Sequence, residues 1–239
     1  MNIRPPVSVA EAIRTRRSAR RFRPDPLPDG LLTELLALTV EAPSSWNFQS
    51  RSVVAVTAPE DREALARAAN DQDQPRLAPV TLVFLAECDA WRGDLSDVLT
   101  TARASGAWSE EFARSVATHG VDFQRDLAER GLLREYAVKD AMIAAGFAML
   151  AATGAGLASS PMNGWDEAEV KKVVGVDDRD DLAVALLLSI GLPVEERRHP
   201  GRRPRDRHVF HGRYGRPWSM GLPTAGGPSG DLHDAGAPR

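Results

Sequence analysis

Three runs of successive apolar residues constrain the fold of this 239-residue chain more than any other feature. They cover residues 53–56, 80–86 and 183–191, and each is short and rich in Val, Leu, Ile or Ala. Such runs predict buried β-strands. In the first two runs the apolar residues are successive and do not alternate with polar ones. This pattern predicts that helices cover both faces of the sheet.

The segments between these runs predict helices. Ser8 and Glu11 form a capping box, and Asp29 and Asp166 are predicted to cap two further helices. A long helix is predicted over about residues 134–153, where many small residues allow another helix to approach closely. Burial in a monomer core and a position at the centre of a dimer are both open for this helix. Residues 90–136 predict one or two helices with irregular links, and residues 159–165 predict a loop.

Composition narrows the class of protein. The chain is 43% hydrophobic and 26% charged, with a net charge of −3, which is typical of a globular protein and argues against a general nucleic-acid surface. A single cysteine, Cys88, excludes an intrachain disulfide and favours a reducing compartment. No secretory signal or uninterrupted membrane-length apolar run is recognised. We therefore expect a cytoplasmic protein that binds neither nucleic acid nor membrane.

A basic cluster lies just after the first predicted helix. Five arginines occur between residues 16 and 23, in a chain that is acidic overall. Several guanidinium groups in one loop can converge on a phosphate. The alternative is a solvated turn whose cations pair with the C-terminal end of the helix.

Three other signals fail. The run from Gly154 to Ser159 resembles a dinucleotide-binding fingerprint, but it follows a helix and Ser replaces the last Gly. His208 and His211 lack the further ligands of a metal site, so we expect no metal. Cys88 has no neighbouring base in the sequence, and no nucleophile-elbow serine is present. Hydrolytic chemistry is therefore not predicted.

Four motifs in order are similar to those of the nitroreductase family of FMN-dependent oxidoreductases. They are the basic loop that contains Arg16, Arg17, Ser18 and Arg20, the Pro-Ser-Ser-Trp-Asn-Phe-Gln loop before the first strand, Pro-Met-Asn-Gly at residues 161–164, and Arg-Arg-Pro at 202–204. The match extends to about Trp218. The resemblance implies an α+β fold, with a central, mostly antiparallel sheet flanked by helices. It also implies an intertwined homodimer with FMN at the interface.

The resemblance also implies a set of cofactor-binding residues. One group lies around the phosphate and the pyrimidine edge of the flavin: Arg16, Arg17, Ser18, Arg20 and Asn70. A second group comes from the partner copy: Pro43, Ser44, Ser45, Asn47 and Gln49. A third is Pro161, Met162, Asn163 and Gly164, of which Asn163 and Gly164 lie near flavin N5. Arg202 and Arg203 complete the phosphate contacts.

This chain departs from the family at Asp73, where some members carry Lys. Gln72 or Gln74 is expected to replace that contact with the pyrimidine ring. A helical lid is expected over residues 90–136, within a single domain of residues 1–222 that ends in an arm over residues 195–222. Residues 223–239 are expected to be a flexible tail. Four aromatic side chains are candidates to line the substrate site: Trp108, Phe112, Phe123 and Tyr136.

The expected function is passage of hydride from NADH or NADPH, through flavin N5, to a nitroaromatic, quinone or similar acceptor by a ping-pong mechanism. No metal or catalytic acid–base pair is needed, because the cofactor carries the chemistry. Two alternatives stay open. One is other flavin chemistry on the same fold: flavin breakdown, dehalogenation, or dehydrogenation of a biosynthetic intermediate. The other is a non-enzymatic module that binds nucleic acid or phosphopeptide through its basic loops.

Overall fold

A computed structural model describes residues 7–218, which form two compact units that divide between Arg198 and His199. The first unit contains nine α-helices among its described residues: α1 Val9–Thr15, α2 Leu31–Val40, α3 Pro59–Ala68, α4 Gln74–Leu77, α5 Ser96–Ala104, α6 Glu110–Ser115, α7 Val121–Glu129, α8 Leu133–Gly154 and α9 Glu167–Val173. Its four strands are β1 Arg51–Val56, β2 Val80–Glu87, β3 Ala158–Met162 and β4 Leu182–Gly191. The predicted tail, and residues 219–222 of the predicted arm, lie outside the described residues. The division into one domain with an arm stays a prediction.

The four strands form one antiparallel sheet in the order β1-β2-β4-β3. The two central strands, β2 and β4, are buried almost throughout, as their continuous apolar runs predict. Helices flank the sheet, so the predicted α+β class is confirmed. Both faces of β1 contact the core, as predicted: Val53 and Ala55 pack against the cluster that contains the alanines of α8, and Val54 and Val56 pack in the cluster that contains residues of α3 and α9. Because β1 is an edge strand, most of its residues are nevertheless only half-buried or exposed.

Strand β3 corrects one prediction. Residues 159–165 were expected to form a loop, but Ala158–Met162 pairs with β4 from Ala158–Gly191 to Met162–Leu187. The sequence Ala-Ser-Ser-Pro-Met has little intrinsic strand preference. Pairing with the apolar strand β4 imposes the extended conformation, and Pro161 is tolerated because β3 lies at the sheet edge.

Helix α8 crosses the sheet and contacts β2 and β4. A row of small side chains on one face, including Ala141, Ala144 and Ala148, is buried in the main core. Its other face carries exposed apolar side chains: Met142 (39% exposed), Ile143 (41%) and Phe147 (40%). By length and composition alone α8 could cross a membrane, but the burial of its alanines against the sheet is typical of a core helix.

The helix starts are partly as predicted. The Ser8 hydroxyl accepts a hydrogen bond from the Glu11 amide at 3.2 Å, and the Asp166 carboxylate accepts one from the Glu169 amide at 3.1 Å. Both predicted caps are therefore confirmed. The prediction of Asp29 as the cap of α2 is wrong: Gly30 occupies that position with φ of +76°, which glycine adopts without steric strain.

Residues 90–136 contain more helix than predicted. Three helices, α5, α6 and α7, precede the start of α8, and a π-helical turn, Val116–Gly120, joins α6 to α7. The segment is mostly polar, so its sequence shows little helical periodicity of apolar residues. Its few apolar side chains pack on Phe48 and Trp91 in a separate small core. The expected one or two helices are thus an underestimate.

Candidate functional site

The basic loop lies along the outer edge of β3. Ser18 forms a parallel bridge with Ser159, and the Ala19 amide donates to the Ser159 carbonyl at 3.1 Å. Nη1 of Arg20 donates to Oγ of Ser160 at 3.2 Å. The structure therefore places Ser18 and Arg20 beside the strand that leads to Pro161 and Met162.

Arg17 has a structural role as well as a candidate binding role. Its Nη1 donates to the carbonyl of Arg14 at 2.7 Å and to that of Arg16 at 2.8 Å. These carbonyls lie at the C-terminal end of α1, so the capping alternative holds for this nitrogen. Nε of Arg17 is buried and has no hydrogen-bond partner among residues 7–218.

A cavity of about 800 Å³ opens beside Arg16 and Arg17. Arg16, Arg17, Arg23 and Arg197 line it, together with three glutamates, and its floor includes residues 155–158 at the start of β3. This volume is within the usual range for small-molecule sites. Its guanidinium groups are donors suited to a phosphate.

The turn after β3 is held by two side-chain amides from a distant part of the chain. Nδ2 of Asn70 donates to the Gly164 carbonyl at 2.8 Å, and Nε2 of Gln72 donates to the Asn163 and Gly164 carbonyls, each at 3.2 Å. Gly164 has φ of +88°, a backbone conformation that favours glycine. In this structure Gln72 therefore holds the Asn163–Gly164 turn, while Gln74 is buried.

Asp73 is part of an ion-pair cluster centred on Arg76. The Arg76 guanidinium pairs with Asp73 at 2.8 Å, Glu63 at 3.0 Å and Asp71 at 3.4 Å. Hydrogen bonding to Arg76 is the largest cause that lowers the pKa of Glu63. Asp73 thus carries an anion that pairs with Arg76 just after the turn containing Asn70, whose φ is +56°.

The loop before β1 has an unusual backbone. Trp46, Asn47 and Gln49 have φ values of +52°, +55° and +52°, a region that non-glycine residues rarely adopt. Oγ of Ser44 accepts a hydrogen bond from the Gln49 amide at 2.9 Å. Pro43, Asn47 and Gln49 are exposed, whereas Phe48 is buried.

Within one chain the loop before β1 and the turn after β3 belong to opposite edges of the sheet. β1 and β3 are the two edge strands, so three interstrand spacings, about 14 Å, separate them. The structure therefore brings together Ser18, Arg20, Asn70, Asn163 and Gly164, but it does not add residues 43–49 to that group.

The four aromatic candidates form two pairs. Trp108 and Phe112 are 5.3 Å apart between ring centroids, and Phe123 and Tyr136 are 5.8 Å apart, both in edge-to-face geometry. Trp108 also lines a cavity of about 500 Å³ together with Asn47 and Gln49.

Arg202 and Arg203 belong to the second compact unit. Both are exposed, and Nη1 of Arg202 donates to the Gly201 carbonyl at 2.7 Å. Their expected contact with a phosphate stays a prediction.

Sequence reasoning missed Asp140, which contacts the loop before β1, and Arg51, which contacts the end of α2. Asp140 accepts from the Ser45 amide, and Arg51 donates to the Val40 carbonyl. A carboxylate among the alanines of a core helix was the available signal for Asp140. The start of an edge strand gave no comparable signal for Arg51.

The fold is an antiparallel sheet flanked by helices, and the basic loop lies on its β3 edge. The guanidinium groups of this loop are suited to a phosphate-bearing ligand. The family model described as "Nitroreductase family" matches residues 13–192. An NADH dehydrogenase of Thermus thermophilus is 31% identical over 86% of this chain and 97% of its own length. The Bacillus subtilis protein MhqN, named as an NAD(P)H nitroreductase, is 28% identical over 79% of this chain and 90% of its own.

Solved structures agree. A Bacillus subtilis nitroreductase structure has a TM-score of 0.76 at 28% identity, covering 84% of this chain and 97% of that chain. A nitroreductase-type structure from Exiguobacterium sibiricum, in complex with FMN, has a TM-score of 0.73 at 22% identity and covers 85% and 96%. The chain belongs to the nitroreductase family, and the family prediction is confirmed.

Proposed function

We propose that this protein is an FMN-dependent NAD(P)H oxidoreductase that reduces a nitroaromatic, a quinone or a similar electron-poor acceptor. NADH or NADPH and the acceptor would use the site in turn, in a ping-pong mechanism. The observation that carries the proposal is the placement of Ser18 and Arg20 beside β3, the strand that leads to the Asn163–Gly164 turn. Membership of the nitroreductase family supports the enzyme class and the cofactor.

The residues present fit a flavin mononucleotide. The large cavity offers arginine donors for a phosphate, and the buried Nε of Arg17 has no partner in the described chain. When bound, FMN accepts a hydride at N5 from the reduced nicotinamide and passes it to the acceptor.

Each part of this chain has a separate role. Arg16 and Arg17 would bind the phosphate, because guanidinium groups bind phosphate bidentately. Arg20 would supply a positive charge to the pyrimidine edge of a bound flavin, where a cation favours the anionic reduced form. A backbone N–H of the Asn163–Gly164 turn would interact with N5, and the amides of Asn70 and Gln72 hold that turn in place.

We infer that the active form is a homodimer. The loop over residues 43–49 lies across the sheet from the other flavin-site residues of its own chain, so a partner copy would supply it. An apolar surface supports this arrangement, because α1 and α2 pack on α8 and all three helices carry exposed apolar side chains: Val9, Ile13, Leu38, Val40, Met142, Ile143 and Phe147. Monomers rarely expose apolar patches of this kind.

Introducing negative charge on α8 tests this surface. Replacing both Ile143 and Phe147 with Glu is expected to convert a dimer into a monomer, because unpaired carboxylates would be buried in the interface. Light scattering coupled to size-exclusion chromatography measures the mass. Lys139→Gln, an exposed change on the same helix, should leave the dimer intact. A wild-type monomer, or a double variant that stays dimeric, would contradict the inference.

The acceptor is proposed to enter between the loop and the lid. Trp108 lines the cavity beside Asn47 and Gln49 and can stack on a planar acceptor. Phe112, exposed and paired with Trp108, extends the same aromatic surface. Phe123 and Tyr136 are proposed as further lining residues. We also infer a cytoplasmic location, where NADH and NADPH are present.

The direct experiment uses purified protein with FMN under anaerobic conditions. We expect oxidation of NADH or NADPH, followed by nitroaromatic- or quinone-dependent turnover with the parallel-line kinetics of a ping-pong reaction. A protein that binds FMN but oxidises no nicotinamide would contradict this function and favour the other flavin chemistry. A protein that binds no FMN would refute the whole proposal.

A further inference from the structure

A buried carboxylate lies outside the site described above. Asp140 is 7% exposed and belongs to α8, where its neighbours along the helix, Ala137, Ala141 and Ala144, are buried in the main core. Burial is the largest influence on its pKa and raises it, while the Ser45 amide and Arg51 lower it. A carboxylate in such a place is costly unless it is paired and hydrogen-bonded.

The partners of Asp140 belong to the loop before β1. Both carboxylate oxygens accept a hydrogen bond from the Ser45 amide, at 3.3 and 3.4 Å. The guanidinium of Arg51 interacts electrostatically with Asp140. Its Nη2 donates to the carbonyls of Val40 and Ala42, at the C-terminal end of α2. Asp140 therefore holds the segment between α2 and β1 at Ser45, and Arg51 links the first residue of β1 to the end of α2.

The segment between these contacts is strained. Three of its four residues from Trp46 to Gln49 have positive φ, although none is glycine. Such conformations persist only where surrounding contacts impose them. Their consequence is that Asn47 and Gln49 are exposed while Phe48, between them, is buried.

The lid restrains the same loop from its other side. A Cβ added to Gly120, in the π-helical turn, would lie 3.1 Å from Phe48 and 3.2 Å from Trp46. The two aromatic rings therefore pack directly on the lid backbone. This contact fixes the aromatic side chains, whereas Asp140 and Arg51 fix the backbone that carries Asn47 and Gln49.

We propose that Asp140 and Arg51 are positioning residues that hold residues 44–49 in the conformation that presents Asn47 and Gln49 to the flavin. The inference rests on the proposed function, because it assigns the loop to the cofactor site. Neither residue touches the cofactor in this account. They act through the backbone of Ser45 and through the end of α2.

Hydrogen–deuterium exchange of the cofactor-free protein tests the first half of the proposal. Asp140→Ala removes both the acceptor for Ser45 and the counter-charge for Arg51. We expect exchange in residues 44–50 to rise about tenfold, with no comparable change in β2. Asp140→Asn keeps an acceptor for the Ser45 amide and should show a smaller rise. Glu135→Gln, which removes an exposed carboxylate from the same helix, should change nothing.

An FMN titration of the same variants tests the second half. We expect the dissociation constant for FMN to rise about tenfold in Asp140→Ala and in Arg51→Gln, and to stay unchanged in Glu135→Gln. If Asp140→Ala does not fold, Asp140→Asn and Arg51→Gln are used for both measurements, with Glu135→Gln as the control.

The outcomes separate the two proposals. Equal increases in exchange across the loop and β2 would show a general stability role and overturn the inference. Raised loop exchange with unchanged FMN affinity would also overturn it. If the wild-type protein binds no FMN, the proposed function fails and this inference fails with it. The exchange experiment alone then reports whether the two side chains hold the loop.

Discussion

Replacing Arg20 with Ala is expected to raise the dissociation constant for FMN by about 10- to 100-fold. Nη1 of Arg20 donates to Oγ of Ser160, which directs the guanidinium along β3. Hydrogen bonds to charged groups contribute about 1.5–3 kcal/mol, and this range corresponds to the expected change in affinity. The midpoint potential of the bound flavin should fall as well, because a cation beside the pyrimidine edge stabilises the reduced anion.

Two further variants sharpen this test. Arg20→Lys keeps the charge but loses the planar fork, so we expect an intermediate loss of affinity. Arg21→Ala is the matched control: Arg21 is the next residue, it is exposed, and its backbone carbonyl accepts from the Val194 amide. Unchanged affinity and potential in Arg20→Ala, or equal losses in Arg20→Ala and Arg21→Ala, would contradict the role of Arg20.

Gly191→Ala is expected to destabilise the fold by about 1–3 kcal/mol, with a fall in Tm of roughly 2–12 °C. Gly191 ends β4 and pairs with Ala158 of β3. A Cβ there would lie 2.6 Å from Cδ of Pro79 and 3.2 Å from Cδ1 of Phe22. Pro79 precedes β2, and Phe22 lies between Arg21 and Arg23 of the basic loop. The substitution therefore pushes apart the elements that frame the β3 edge.

Thermal unfolding followed by circular dichroism measures the effect. Gly154→Ala is the control, because a Cβ at Gly154 has no atom within 4 Å and the residue ends a helix. Its Tm should stay the same or rise slightly, since Ala is a better helix former than Gly. Equal Tm values for wild type and Gly191→Ala would show that the packing around β3 is looser than the structure indicates.

The sequence could predict the parts of the fold that depend on local pattern. Strands β2 and β4 carry continuous apolar runs, and the Ser8 and Asp166 caps depend on residues three positions apart. Strand β3 was missed because its residues have little strand preference and are extended through pairing with β4. Gly30 was missed because a glycine cap leaves no side-chain signal, whereas Asp29 is a residue type that often caps helices.

The candidate site divides in the same way. Motif order predicts Ser18, Arg20, Asn70 and the Asn163–Gly164 turn as site residues; the structure places Ser18 and Arg20 beside β3 and Asn70 on the turn after it, while their roles toward a flavin stay predictions. The hydrogen bonds that hold them join residues more than 90 positions apart, such as Asn70 with Gly164 and Arg20 with Ser160. No local pattern specifies such pairs. The partner-copy residues, the substrate-lining aromatics and the roles of Arg202 and Arg203 stay predictions.

The central claim is that arginines of the loop beside β3 bind a flavin phosphate in a two-copy assembly. The most direct measurement is a titration of cofactor-free protein with FMN, followed by flavin fluorescence, with the mass of the complex measured by light scattering. The account predicts one FMN per chain on a dimer and loss of tight binding in Arg20→Ala. A monomer that leaves FMN fluorescence unchanged at every concentration would contradict it.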